Sequence, residues 1–103
     1  MKKFLLVLVA IIGFGITANA GVIFRSQQSV CSGNEQIIFK SDGTVQVWTN
    51  STLQYKGTYT IEGSIIIMSV EGGQFRARAS MNDSKTTLYD LTFNGTLYRR
   101  CNR

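Results

Sequence analysis

The sequence predicts an all-β domain: an antiparallel meander of about seven short strands that closes as a small β-barrel or sandwich. Three observations support this prediction. Apolar and polar residues alternate with a period of two through most of the chain after residue 20, turn-forming residues recur at short intervals, and no segment of that part shows a helical period. A barrel is favoured over a sandwich because closure of the sheet hides its strand edges.

The first twenty residues are predicted to be a cleaved signal peptide. Met1-Lys2-Lys3 is a positive start, residues 4–16 are apolar apart from two glycines, and Ala18-Asn19-Ala20 is a small-x-small cleavage site. The apolar run is shorter than the roughly 20 residues that a transmembrane helix needs. We therefore expect residues 21–103 to form a single exported domain without a membrane span, periplasmic or secreted.

The strands are predicted from the alternation and from the turns between them. In chain order they are 35–40, 44–50, 55–62, 64–70, 74–81, 86–93 and 96–101, after a less regular segment at 22–30. Ser41-Asp42-Gly43 and Gly63 mark turns early in the series. Asn94-Gly95 is the strongest hairpin signal and suits a type I′ turn.

The two cysteines of the chain, Cys31 and Cys101, lie near the two ends of the exported part and are expected to form a disulfide. A domain of this size buries only about 60–65% of the surface that its unfolded chain exposes, so a disulfide is expected to supply part of its stability. Strand parity raises a difficulty for this disulfide. The first and last of seven up-and-down strands run the same way, so Cys31 and Cys101 would lie at opposite ends of the barrel. Either residues 31–34 run back along the barrel, or the strand count is off by one.

Alternation also assigns the faces of the strands. The residues predicted to face inward are Ile37, Phe39, Val45, Val47, Tyr59, Ile61, Phe75, Ala77, Ala79, Met81, Tyr89, Leu91, Phe93 and Leu97. The run Ile65-Ile66-Ile67-Met68 breaks the pattern because it is apolar on both faces. Its outer face is expected to be covered by the N-terminal segment through Phe24, or by a second copy of the chain in a homodimer.

The composition argues against catalysis and against nucleic acid as a partner. The chain has no histidine, and a disulfide would leave no free thiol, so we predict no catalytic residue, no metal site and no cofactor. Lys2 and Lys3 leave with the signal peptide, so nine of the eleven Lys and Arg residues remain against six Asp and Glu, a net charge of +3. That excess is too small to indicate a nucleic-acid binder.

Three residues are candidates for binding. Strict alternation places Trp48 on the outer face, where a tryptophan is a good platform for a sugar ring or a partner's apolar side chain. A β-bulge near Thr49 would instead turn it inward. Arg76 and Arg78 should project together from one outer face, either as a basic patch or as solvated positions that resist edge pairing. The sequence thus predicts a non-catalytic binding module for a protein or envelope glycan around Trp48, Arg76 and Arg78.

Two segments of the chain resemble small bacterial exported lipocalin-like domains. Residues 38–44 (Ile-Phe-Lys-Ser-Asp-Gly-Thr) and residues 57–67 (Gly-Thr-Tyr-Thr-Ile-Glu-Gly-Ser-Ile-Ile-Ile) match a pattern of strand, Asp-Gly-Thr, strand and Gly-x-Tyr-x-Ile-x-Gly-x-Ile. The resemblance implies an exported β-barrel or half-barrel and transfers no binding residue. It suggests an alternative function, a carrier of a small apolar ligand in an interior lined by Tyr59, Phe75, Ala77 and Phe93. Large lipocalin cavities need eight long strands, and the strands predicted here are short, so a filled interior is expected, which would exclude that alternative.

Overall fold

The computed structural model describes residues 21–101, which form eight antiparallel strands closed into a barrel in sequence order. The strands are β1 Gln28–Ser32, β2 Glu35–Phe39, β3 Thr44–Thr49, β4 Thr52–Glu62, β5 Ile65–Val70, β6 Gly73–Met81, β7 Leu88–Phe93 and β8 Thr96–Arg100. The predicted all-β barrel is confirmed, whereas the predicted signal peptide lies outside the described residues. Residues 21–101 contain no helix long and apolar enough to cross a membrane.

The strand that the sequence count missed is β1, and it removes the difficulty over strand parity. With eight strands, β1 and β8 run antiparallel and close the barrel, with Val30 opposite Arg100 and Cys31 opposite Arg99. The predicted disulfide between Cys31 and Cys101 lies along this seam, with a Cα–Cα distance of 5.8 Å. Of the segment predicted at 22–30, only the last residues belong to a strand, and Val22 makes an isolated bridge to Ile61.

The two ends of the barrel are built differently. At one end, here named the open end, all four connections are two-residue turns, at residues 33–34, 50–51, 71–72 and 94–95. Asn94 and Gly95 both have positive φ, as the predicted type I′ turn requires. At the other end, named the closed end, the connection at residues 63–64 is also short, but those at residues 40–43 and 82–87 are longer. The N-terminal segment lies across this end, with backbone hydrogen bonds between Val22 and Ile61 and between Arg25 and Lys85. Short turns therefore leave the open end uncovered.

Phe24 plugs the closed end from inside the barrel. Its side chain is fully buried and packs against Phe39 and Tyr59, each at a ring-centroid distance of 5.8 Å. The Tyr59 hydroxyl accepts a hydrogen bond from the Phe24 backbone N–H (3.0 Å) and donates one to the Lys40 carbonyl oxygen (2.8 Å). Phe24 thus covers the closed end of the barrel from inside.

The Gln28 side chain connects the N-terminal segment by hydrogen bonds to the long loop at residues 82–87 and to the start of β7. Its side chain is only 8% exposed, so its amide needs internal partners. Nε2 donates to the Thr86 carbonyl oxygen (2.7 Å), and Oε1 accepts from the Leu88 backbone N–H (2.8 Å). Both polar atoms of the buried amide are satisfied, which holds the start of β1 against the start of β7.

Most of the predicted inward residues lie in the core. Those that are buried are Ile37, Phe39, Val45, Tyr59, Ile61, Ala77, Ala79 and Leu91. In the apolar run of β5, Ile66 and Met68 belong to the core and Ile67 is 8% exposed, opposite Arg76 on β6. This run is therefore largely buried within a single chain.

The inward assignment of Tyr89 and Leu97 is wrong, because these side chains are 50% and 45% exposed. A β-bulge shifts the β6–β7 register, so that Ala79 lies opposite Leu91 whereas Met81 lies opposite Leu88. The extra residue in β7 lets Leu88 and Leu91 both face inward, and it leaves Tyr89 outside. In β8 the neighbouring residue, Tyr98, faces inward in place of Leu97.

Candidate functional site

A cavity of about 480 Å³ enters the barrel from the open end. Its walls are apolar side chains from the strands that end there, among them Ile37, Val47, Met68 and Val70. The volume lies within the range of roughly 300–1,000 Å³ that is common for small-molecule sites. The opposite half of the barrel is filled by Phe24 and its aromatic neighbours, so the cavity is a cup and not a channel.

The predicted interior residues divide between these two halves. Phe75 and Phe93 line the cup, whereas Tyr59 and Ala77 belong to the packed core of the closed half. Ala77 and Ala79 are both buried, so their small side chains accommodate larger neighbours and do not themselves line a cavity. The interior is therefore filled in its closed half, as expected from the short strands, but open in the other half, where the expectation of a filled interior is wrong.

Aromatic side chains form much of the rim of the cup. Phe75 and Phe93 contact each other edge to face, with a centroid distance of 5.9 Å and an interplanar angle of 84°. Tyr55 is 49% exposed and Phe75 is 41% exposed, although both line the cavity. Large exposed aromatic surfaces are costly to hydrate and provide much of the binding energy when a ligand covers them.

Glu35 and Tyr98 form the polar contact of the cup. The Tyr98 hydroxyl donates a hydrogen bond of 2.6 Å to Glu35 Oε1, and the Tyr98 side chain is only 6% exposed. Burial, then the hydrogen bond to Glu35 and its negative charge, raise the pKa of Tyr98 to about 12. The phenol therefore stays protonated at neutral pH and fixes the position of the carboxylate.

Sequence reasoning missed both members of this pair, although one signal could have identified Tyr98. A two-residue turn at Asn94-Gly95 pairs Phe93 with Thr96, and the same ladder then pairs Leu91 with Tyr98. Because paired residues share a face, an inward Leu91 requires an inward Tyr98. For Glu35, its place next to a turn offered no indication that it faces a cavity.

Trp48 lies on the outer face of β3, as predicted, and is partly exposed. Its indole Nε1–H donates to Gln46 Oε1 at 3.0 Å, and Gln36 lies opposite it on β2. The register does shift between Val47 and Trp48, but the extra residue is in β4, so Trp48 is not turned inward. The groove beside it is lined by Asn34, Gln36, Ile38, Trp48, Asn50 and Ser51.

The two predicted arginines do not share this surface. Arg76 and Arg78 are exposed on the outer face of β6, three strands from β3 around the wall. At a strand spacing of about 4.8 Å, the separation around the barrel is roughly 14 Å at equal height. Arg76 lines a shallow groove together with Gln74 and Asn94, which has no residue in common with the groove at Trp48. The structure thus divides the predicted surface into two.

Comparison of the chain with models of protein families, with curated proteins and with solved structures finds no match. The likeness to exported lipocalin-like domains accordingly rests on the two sequence segments alone. Within residues 21–101, no three His, Cys, Asp or Glu side chains are grouped so that they could hold a metal ion. The cup, an apolar cavity with one polar pair, is the candidate ligand site in the described chain.

Proposed function

We propose that this protein is an exported, non-catalytic binding module that holds a small ligand with an apolar body in its cup. The observation that carries the proposal is the cavity of about 480 Å³, apolar in its walls and open to solvent at one end. It favours the carrier alternative over the predicted outer surface of Trp48, Arg76 and Arg78. A closed far end supports the proposal, since a ligand can enter and leave by one route only.

Two further features support export and reversible binding. A disulfide between Cys31 and Cys101 is typical of proteins in oxidising compartments outside the cytosol. The turns at the open end are too short to act as a lid, so ligand exchange needs no large movement of the backbone. Both properties suit a module that captures a ligand in the periplasm or outside the cell.

The proposal can be tested with a neutral apolar fluorophore, N-phenylnaphthylamine, and with two tyrosine variants. Tyr55 and Tyr89 are almost equally exposed, at 49% and 50%, but only Tyr55 lines the cup. We expect Tyr55→Ser to weaken binding of the fluorophore by about tenfold, because roughly 50 Å² of covered apolar surface is worth about 1.4 kcal/mol.

Tyr89→Ser is the matched control, since it makes the same chemical change on the outer face of β7. Its binding constant is expected to equal that of the wild type. Fluorescence titration of the three proteins at equal concentration supplies the measurement. No binding by the wild type, or an equal loss in both variants, would contradict the cup as the binding site.

The Trp48 groove supports a second candidate function, recognition of an envelope glycan on the outer surface. A partly exposed indole bordered by the amide side chains of Asn34, Gln36 and Asn50 offers a flat apolar face beside hydrogen-bonding groups. This combination suits the apolar face and the hydroxyls of a sugar ring.

Trp48 is the only tryptophan of the chain, so its fluorescence reports directly on this groove. If the groove binds a glycan, soluble envelope oligosaccharides should shift or quench the emission, and Trp48→Ala should abolish recovery of the protein on an immobilised glycan fraction. Equal recovery of the wild type and of the variant would remove Trp48 from the binding surface.

A further inference from the structure

The charged side chains that line the cup are negative, whereas the chain as a whole has a positive net charge. The chain has eleven Lys and Arg residues against six Asp and Glu. Two of those six acidic residues, Glu35 and Glu71, line the cup, and no lysine or arginine is among the described residues that line it. The lining of the cup thus holds two acidic and no basic side chains in a basic protein, and the basic residue Arg76 lines the neighbouring groove, which shares Phe75, Phe93 and Asn94 with the cup.

Glu35 is held in place by one hydrogen bond, which leaves other acceptor positions of its carboxylate for a ligand. An ionised carboxylate has about four acceptor positions, and the Tyr98 hydroxyl occupies one of them at 2.6 Å. Because Tyr98 is buried and neutral, it orients the carboxylate without cancelling its charge. A cation that enters the cup therefore meets a preoriented negative group beside apolar walls.

The aromatic rim suits the same kind of group. The rings of Tyr55, Phe75 and Phe93 line the cavity together with Glu35. The face of an aromatic ring attracts a cation, and weakly hydrated organic ammonium groups gain most from this contact. Aromatic rings and a carboxylate in one small cavity are complementary to an ammonium group that carries apolar substituents.

We infer that the ligand of the cup is a small organic cation, an ammonium group attached to an apolar chain or ring, with its charge near Glu35 and its apolar part against the strand walls. This inference rests on the proposed function and adds the chemical class of the ligand. Neutral apolar molecules of the same size bind more weakly, and anions bind least, since the two carboxylates repel them.

The inference can be tested with three probes that share one apolar chain: octyltrimethylammonium, octanol and octyl sulfate. Calorimetric titration of the wild type should give an affinity for the ammonium about tenfold higher than for octanol, with octyl sulfate weakest. In Glu35→Gln the preference for the ammonium over octanol should fall to roughly twofold, which is the part attributable to the aromatic rings.

Glu62→Gln is the matched control. It removes one negative charge from an exposed position at the closed end of β4, far from the cup, and should keep the wild-type preference. Since a glutamine oxygen can still accept the hydrogen bond from Tyr98, Glu35→Gln is expected to fold. A measurement on the wild type alone gives the same test: added salt should weaken binding of the ammonium and leave octanol binding unchanged.

The outcomes separate this inference from the proposed function. If octanol binds but the ammonium is not preferred, or if Glu35→Gln keeps the full preference, the organic-cation inference is overturned and the cup remains a binding site. If neither octanol nor the ammonium binds, the proposed function itself fails. A preference that disappears in Glu35→Gln and persists in Glu62→Gln supports both.

Discussion

Replacing Cys31 and Cys101 together with serine is expected to lower the free energy of unfolding by about 4 kcal/mol. The bridge joins residues 70 positions apart, so it closes most of the described chain into a single loop. A cross-link over a loop of this length strongly restricts the unfolded chain, and the chain-entropy estimate for it is about 4 kcal/mol. That amount is comparable to the net stability that a small core provides by itself.

The location of the disulfide strengthens this expectation. It lies beside the seam that closes the barrel, where the β1–β8 ladder is limited to two pairs, Val30 with Arg100 and Cys31 with Arg99. The neighbouring β1–β2 ladder has five pairs. Because the seam has the fewest paired residues of the eight ladders, opening of the barrel is expected to begin there once the bridge is absent.

Urea denaturation followed by Trp48 fluorescence supplies the measurement. The double variant should unfold at a markedly lower urea concentration than the oxidised wild type, and the wild type treated with a reductant should behave like the variant. A single-cysteine variant is avoided because a free thiol could join two chains. An unchanged midpoint in the double variant would show that the ladders alone hold the seam.

The features that the sequence predicted correctly are those that local patterns determine. Alternation fixed which face of β2, β3 and β6 is buried, and the turn chemistry of Asn94-Gly95 fixed a hairpin. β1 was not recognised as a separate strand because its sequence, Gln-Ser-Val-Cys-Ser, has a single aliphatic residue and owes its conformation to long-range pairing with β2 and β8. The bulge in β7 likewise has no local signal, and it reversed the assignment of Tyr89.

The candidate site was harder to predict than the fold, for a physical reason. A cavity is the volume that side chains on distant strands leave between them, and no pattern along a single strand encodes it. Phe75 and Phe93 were placed inside by alternation, but the pairing of Glu35 with Tyr98 joins residues 63 positions apart. Trp48 was placed correctly on the outer face, yet its distance from Arg76 depends on the order of the strands around the barrel.

Phe24→Ala is the second variant for which we expect a large effect, a loss of about 3–5 kcal/mol in the free energy of unfolding. The Phe24 side chain is fully buried against Phe39 and Tyr59, and its removal leaves a cavity among these aromatic side chains of the core. Phenylalanine-to-alanine changes at such positions typically cost this much, because the loss of buried apolar surface is added to the cost of the cavity.

The matched control is Phe75→Ala, the same substitution at the open end. Phe75 is 41% exposed and lines a cavity that already exists, so its loss should cost only about 1 kcal/mol. Urea denaturation of both variants gives the comparison. Equal losses would mean that the two halves of the barrel are equally packed, contrary to a plugged closed end and an open cup. A large loss confined to Phe24→Ala, together with weakened ligand binding confined to Phe75→Ala, would separate the half that stabilises the barrel from the half that binds.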